Sequence, residues 1–135
     1  LIVNILRFRF KDSADAETRA AALAAMRRTA AVESVSFATV GQDLGDPAEG
    51  FTHAYCVGVA DLAALERYLY DPVHLAGDDE ILPHLERLAP ARLSDDPDPE
   101  LGAKIHGLHL QKVRTYPEWG RLLESIPETT VRTRS

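Results

Sequence analysis

The stretch Gly50-Phe51-Thr52-His53-Ala54-Tyr55-Cys56-Val57-Gly58-Val59 decides the fold. Its side chains alternate, with Phe51, His53, Tyr55, Val57 and Val59 on one face and Thr52, Ala54, Cys56 and Gly58 on the other. Period two over this length marks a strand. One face is large and apolar, and the other is small, as expected where another layer approaches closely. Downstream, Asp61 is placed to cap a helix on which Leu62, Leu65, Tyr68 and Leu69 share a side. Asp71-Pro72 breaks that helix. A loop is expected next, then a short amphipathic helix over residues 79–88 carrying Ile81, Leu82, Leu85 and Leu88, then a last core strand near residues 90–95.

Upstream, residues 1–11 also alternate, with Ile2, Asn4, Leu6, Phe8 and Phe10 on one face and Arg7 and Arg9 on the other. Asn4 is the one polar member of the apolar face. Candidate caps at Asp12, Ser13 and Asp15 open an alanine-rich helix that reaches about residue 31. Asp15 and Glu17 at its start and Arg27-Arg28 at its end suit the helix dipole. Residues 32–41 read as a second strand, and the Gly-, Asp- and Pro-rich residues 41–50 as a turn region. The resulting order is that of an α+β, ferredoxin-like split βαβ domain with an antiparallel sheet. Its helices cover one face of the sheet only. The other face needs a partner, so a homodimer is expected.

Residues 1–96 form the expected domain. The charged, proline-containing run Asp95-Asp96-Pro97-Asp98-Pro99 then opens an appendage over residues 97–135, expected to pack on the barrel or on the partner subunit. Within it, residues 106–114 read as a strand. Thr115-Tyr116-Pro117-Glu118 reads as a capping box, and Trp119, Leu122, Leu123 and Ile126 form a helical stripe.

Composition narrows the function. Of 135 residues, 45% are hydrophobic and 27% charged, the balance of an ordinary globular domain. The net charge of −6 argues against a general nucleic-acid binder, and the only basic clusters are Arg27-Arg28 and the tail's Arg132 and Arg134. No apolar run reaches the ~18 residues of a membrane span. Arg7 and Arg9 interrupt the opening apolar stretch, so it does not read as a signal segment. The chain begins at Leu1 rather than Met, and leading residues are expected to precede it. Cys56 is the single cysteine, so no intrachain disulfide forms and a cytoplasmic location is expected. Arginine outnumbers lysine and alanine is abundant, as in a high-GC bacterial gene.

Three segments carry a resemblance: Gly50-Phe51-Thr52-His53-Ala54, Leu65-Glu66-Arg67-Tyr68 and Asp71-Pro72-Val73-His74. With residues 5–11 (ILRFRFK) as opening strand, the pattern resembles the stress-responsive A/B barrel (Dabb) family of dimeric α/β barrels, over roughly residues 1–96. That family includes plant stress proteins, a plant polyketide cyclase that makes olivetolic acid, and lyases and isomerases of small molecules. By this resemblance the catalytic pair falls on Tyr68 and His74, and a pocket histidine on His53. A second pocket histidine falls on Asn4, where this sequence departs. The aspartate that orients the catalytic histidine falls on Asp95 or Asp96.

The chemistry those residue types allow is consistent with the resemblance. A histidine is a suitable base for a proton α to a carbonyl, and a tyrosine hydroxyl can donate to the enolate oxygen. A carboxylate behind the histidine would fix its tautomer. Together they suit enolisation, aldol closure or elimination with no cofactor. His53, Asn4, Tyr55 and Phe8 are the expected substrate contacts, although His53 and Asn4 can equally form a mutually bonded pair, and Tyr68 and His74 can equally pack a helix–loop junction. His74, Asp78, Asp79, His84, His106 and His109 show no metal-site spacing, and no metal is expected. The leading reading is a polyketide cyclase or lyase. The alternatives are a non-enzymatic stress-responsive dimer or assembly protein and a cofactor-independent monooxygenase of antibiotic biosynthesis.

Overall fold

The computed structural model describes residues 1–133, so Arg134 of the basic tail lies outside the described residues. In chain order the elements are β1 (Ile2–Phe10), α1 (Ala16–Ala30), β2 (Val35–Gln42), β3 (His53–Val59), α2 (Leu62–Tyr70), α3 (Pro72–Ile81), β4 (Leu85–Ser94), α4 (Leu101–Thr115), α5 (Pro117–Glu124) and β5 (Glu128–Thr129). The five strands form one sheet in the order β2-β3-β1-β4-β5, antiparallel except for the short parallel pairing of β4 with β5. This is a ferredoxin-like α+β fold.

Register assigns the two faces. Ile2, Asn4 and Leu6 of β1 stand opposite Val59, Val57 and Tyr55 of β3. All of these except Asn4 join buried Phe8, Phe10 and Leu88, Ala22, Ala25 and Met26 of α1, and Leu65, Tyr68 and Leu69 of α2 in one core. The small side chains of α1 let it lie close. The opposite face carries half-buried Val3 and Ile5, with Phe37 and Leu93 45% and 59% exposed. Phe37 lies across Gly58, where an added Cβ would come 2.1 Å from its ring. Phe51, expected beside His53, instead sits between the Arg7 and Arg87 guanidiniums, 4.4 and 4.6 Å from its ring centre. No helix among the described residues is long and apolar enough to cross a membrane.

Several elements differ from the sequence expectation. Pro72 does not lead into a loop. It is the first residue of α3, where its fixed φ and missing N–H cost nothing, and Asp71 caps that helix by accepting from the Val73 N–H at 2.9 Å. Leu85 and Leu88 lie in β4 rather than in a helix. A register shift opposite Arg9 and Phe10 leaves Glu86 unpaired with β1, so residues three apart both become buried and imitate helical spacing. The expected strand over residues 106–114 is part of α4. Its buried residues are Leu101, Ile105, His109 and Lys112, a helical stripe whose two polar members mask it. Thr115 makes no capping box, because its hydroxyl donates back to the Gln111 carbonyl at 2.8 Å. Trp119, Leu123 and Ile126 are buried and Leu122 half-buried.

Candidate active site

Tyr68 and His74 meet because one helix ends as the next begins. The buried stripe of α2 carries Leu65, Tyr68 and Leu69 to its C-terminal turn, and α3 starts after a single residue, Asp71. The His74 ring therefore lies against Tyr68, centres 4.4 Å apart. His74 Nδ1 stands 2.9 Å from the Tyr68 carbonyl oxygen. A carbonyl only accepts, so Nδ1 carries the hydrogen and Nε2 remains as the ring atom that exchanges a proton. Asp78, one turn further along α3, places a carboxylate oxygen 3.3 Å from that Nε2. The same oxygen accepts the Trp119 indole N–H at 2.7 Å. Burial by itself would raise the Asp78 carboxyl. His74, with help from Lys112 and Trp119, outweighs burial and holds it below the ordinary carboxylate range.

The Tyr68 hydroxyl is 2.5 Å from that of Tyr55 on β3. Burial, then the neighbouring Tyr55, pushes the Tyr68 hydroxyl well above its ordinary value. Burial likewise raises Tyr55, partly offset by the hydrogen bond it shares with Tyr68, in which either hydroxyl can be the donor. Both stay protonated at neutral pH, so this pair donates hydrogen bonds and does not act as a base.

These groups stand at the junction of two spaces. The larger, about 360 Å³, is walled by Asn4 and Leu6 of β1, Pro90 and Arg92 of β4, His106 and His109 of α4, Trp119 of α5 and Arg132. The smaller, about 40 Å³, is apolar and runs inward past Phe8, Met26, Tyr55 and Leu85. Tyr68, His74 and Asp78 line both. Volumes of this order hold a small organic molecule with one apolar group reaching inward.

Of the expected site residues, Tyr68, His74, Asn4, Tyr55 and Phe8 line these spaces. His53 does not. It stacks on Phe8 at 5.5 Å and meets the edge of Phe10, while its Nδ1 engages the Thr52 hydroxyl at 2.8 Å. It also forms no pair with Asn4, since β1–β3 register sets it opposite Phe8 and sets Asn4 opposite Val57. Asp95 and Asp96 do not orient His74 either. β4 ends at Ser94, paired with Ile2 at the start of β1, so Asp95 follows the strand's end with its side chain largely exposed, and Asp96 accepts from the Asp98 N–H. The carboxylate beside His74 is Asp78, at Nε2, while the Tyr68 carbonyl on Nδ1 fixes the tautomer. The signal for Asp78 was the four-residue step from His74, which counts only once residues 72–81 are known to be helical.

The residues that sequence reasoning missed come mostly from the C-terminal elements. Lys112 is fully buried, with Nζ 4.1 Å above the Trp119 ring, and burial pulls it down to about 8 against the pull of Asp78. His109 meets the edge of Trp119 at 5.1 Å. Burial, then the Arg92 and Lys112 charges, draws it down to about 4. Among the described residues, no three His, Cys, Asp or Glu side chains gather as a metal ion would require.

Comparison with known proteins adds the following. Residues 2–91 match the model of the Stress responsive A/B Barrel Domain. Similar solved structures include a hydroxynitrile lyase from Passiflora edulis, 23% identical, with a TM-score of 0.63 over 71% of this chain and 94% of that one. A Dabb-family protein with a ferredoxin-like fold from Mesorhizobium loti is 20% identical, with a TM-score of 0.62 over 70% and 96%. A dimeric ferredoxin-like protein of unknown function from Thermobifida fusca is 22% identical, with a TM-score of 0.61 over 69% and 89%. At these identities the likeness is one of fold. No curated protein sequence matches the chain.

Proposed function

Because this chain belongs to the stress-responsive A/B barrel family, we propose that it is a cofactor-free acid–base enzyme acting on a small carbonyl compound, of the polyketide cyclase or lyase kind. One observation carries the reading: Tyr68, His74 and Asp78 all line the junction of a 360 Å³ cavity with an apolar inner chamber, with the Asp78 carboxylate 3.3 Å from His74 Nε2. His74 Nε2 takes the proton from the carbon α to the substrate carbonyl, and Asp78 stabilises the imidazolium that forms. Tyr55 donates to the Tyr68 oxygen, which leaves the Tyr68 proton to bond the enolate oxygen. The enolate then attacks a second carbonyl or expels a leaving group, and His74 returns the proton. In the lyase form the same base removes a hydroxyl proton, the carbonyl forms as the adjacent C–C bond breaks, and the His74 imidazolium gives its proton to the departing carbanion.

The functional unit is a homodimer joined through the open sheet face. Exposed Phe37 and Leu93 with half-buried Val3 and Ile5 support this, as does the dimeric state of the Thermobifida fusca protein. Sedimentation should give a dimer at micromolar concentration.

The test of the reaction uses a poly-β-keto substrate. His74→Ala should lower turnover by roughly 10²–10⁴-fold with the fold intact. Tyr68→Phe keeps the ring, so its cost should fall on rate more than on stability. A double variant lacking both groups that still turned over at the wild-type rate would sink the reading and leave a non-enzymatic dimer.

A further inference from the structure

Two arginines at the larger cavity are left without a carboxylate. Arg7, Arg9, Arg28, Arg87 and Arg121 each reach an acidic side chain. Arg92 and Arg132, which line the cavity and remain open to solvent at its mouth, reach none among the described residues. Asn4 stands opposite Arg92 in the β1–β4 register, so this guanidinium springs from the cavity face of the sheet. The two arginines are close enough to oppose each other: burial, then the Arg132 charge, holds the Arg92 guanidinium below its ordinary value against Tyr68. Asp78 is the acidic residue of the cavity lining, and it is already committed to His74 and Trp119. The lining is therefore positive within a chain whose net charge is −6.

Three more groups of the same lining are unsatisfied. Asn4 Oδ1, His106 Nε2 and His109 Nε2 are buried, with no hydrogen-bond partner among the described residues. Buried polar atoms without partners are uncommon and call for a ligand or an ordered water. His109 is neutral at physiological pH, so it can donate to an anion without adding charge.

We propose that the cavity mouth is a carboxylate subsite, in which Arg92 and Arg132 hold the acid group of a small organic carboxylate whose carbonyl end reaches Tyr68 and His74. This rests on the cavity being the substrate site and adds to it the class of substrate, a carbonyl-bearing carboxylic acid. Planar guanidinium groups match a carboxylate in two parallel hydrogen bonds, and the charge removes the repulsion between them. His106 and His109 then take the acid's remaining lone pairs. The apolar end of the ligand lies toward the inner chamber.

The test is equilibrium binding to the full chain, read by calorimetry and by fluorescence of Trp119, the single tryptophan and part of the cavity wall. The probes are benzoate and its neutral isostere benzamide. Benzoate should bind at least about tenfold more tightly, the difference expected for hydrogen bonds to a charged group. The double variant Arg92→Met/Arg132→Met should lose that preference while benzamide binding stays the same. Raising ionic strength should weaken benzoate alone, which decides the matter in the wild-type chain even where the variant fails to fold. Equal affinity for the two probes, no binding of either, or a preference that survives both substitutions overturns the subsite. Turnover by the His74 and Tyr68 variants reads the reaction separately. An active enzyme indifferent to the carboxylate overturns the subsite alone, and an inactive protein that keeps the preference overturns the reaction alone.

Discussion

The first ninety-odd residues and the C-terminal elements bury their side chains by different rules. In the barrel the most deeply enclosed large side chains are apolar apart from Tyr68: Phe8, Phe10, Val57, Val59 and Leu85 are almost fully buried, and the Tyr68 hydroxyl bonds that of Tyr55. In α4 and α5 the inward stripe mixes Leu101, Ile105, Trp119 and Leu123 with His109 and Lys112, and the last two are unpartnered. A lysine and a histidine in an interior cost stability. The region that adds His106 and His109 to the cavity thus also gives up stability, by burying His109 and Lys112.

The comparison can be broken most directly by truncation after Pro99. Buried Leu101, Ile105, Trp119, Leu123 and Ile126 would be lost, and the loss should be on the order of 5 kcal/mol or more, seen as a lower denaturation midpoint. An unchanged midpoint would mean that the barrel does not depend on these helices. Next, Leu85→Ala in the barrel core, where the leucine is 1% exposed, should cost about 2–5 kcal/mol by urea unfolding.

Acid should act on the C-terminal side. The His109 imidazole falls from 6.5 to about 4 in the folded protein, so between these values the unfolded chain binds a proton that the folded one refuses. Stability should therefore fall as pH drops below 6.5 and lose about 3 kcal/mol by pH 4. His109→Leu should flatten that slope, and urea titrations at stepped pH read it. The smallest effect sharpens the contrast. Lys112→Met should raise stability by about 1–3 kcal/mol at neutral pH, since it removes a buried, unpaired ammonium. Lys112 loses its proton near 8 when folded against 10.5 when free, so wild-type stability rises with pH across that window and the variant's advantage should shrink there. Thermal melts at pH 7 and 10 compare the two.

The same division explains what was legible. β1, α1, β3 and α2 follow from alternation, capping aspartates and the 3.6-residue stripe, because their buried faces are apolar. α4 was misread as a strand because His109 and Lys112 occupy buried positions of its stripe, and hydrophobicity alone points instead to Leu108 and Leu110. The 72–81 helix was hidden by Pro72, which ends one helix and begins the next in the same place. Tyr68 and His74 were found through resemblance. Asp78 needed the helix, and Arg92, His106 and Arg132 needed the assembled cavity.

What the sequence determined by itself is the ferredoxin-like α+β domain, its one-sided helix layer and its family. Those rest on local periodicity and turn chemistry, which act between near neighbours in the chain. Only the tertiary structure decided that the C-terminal helices cover the same face of the sheet as α2 and α3, that Asp78 rather than Asp95 or Asp96 attends His74, and that His53 is a packing residue. Each of these depends on which distant segments share one enclosed space. Register, a bulge and the docking of a mixed polar stripe set that, and none of them shows in the order of residues along a single element.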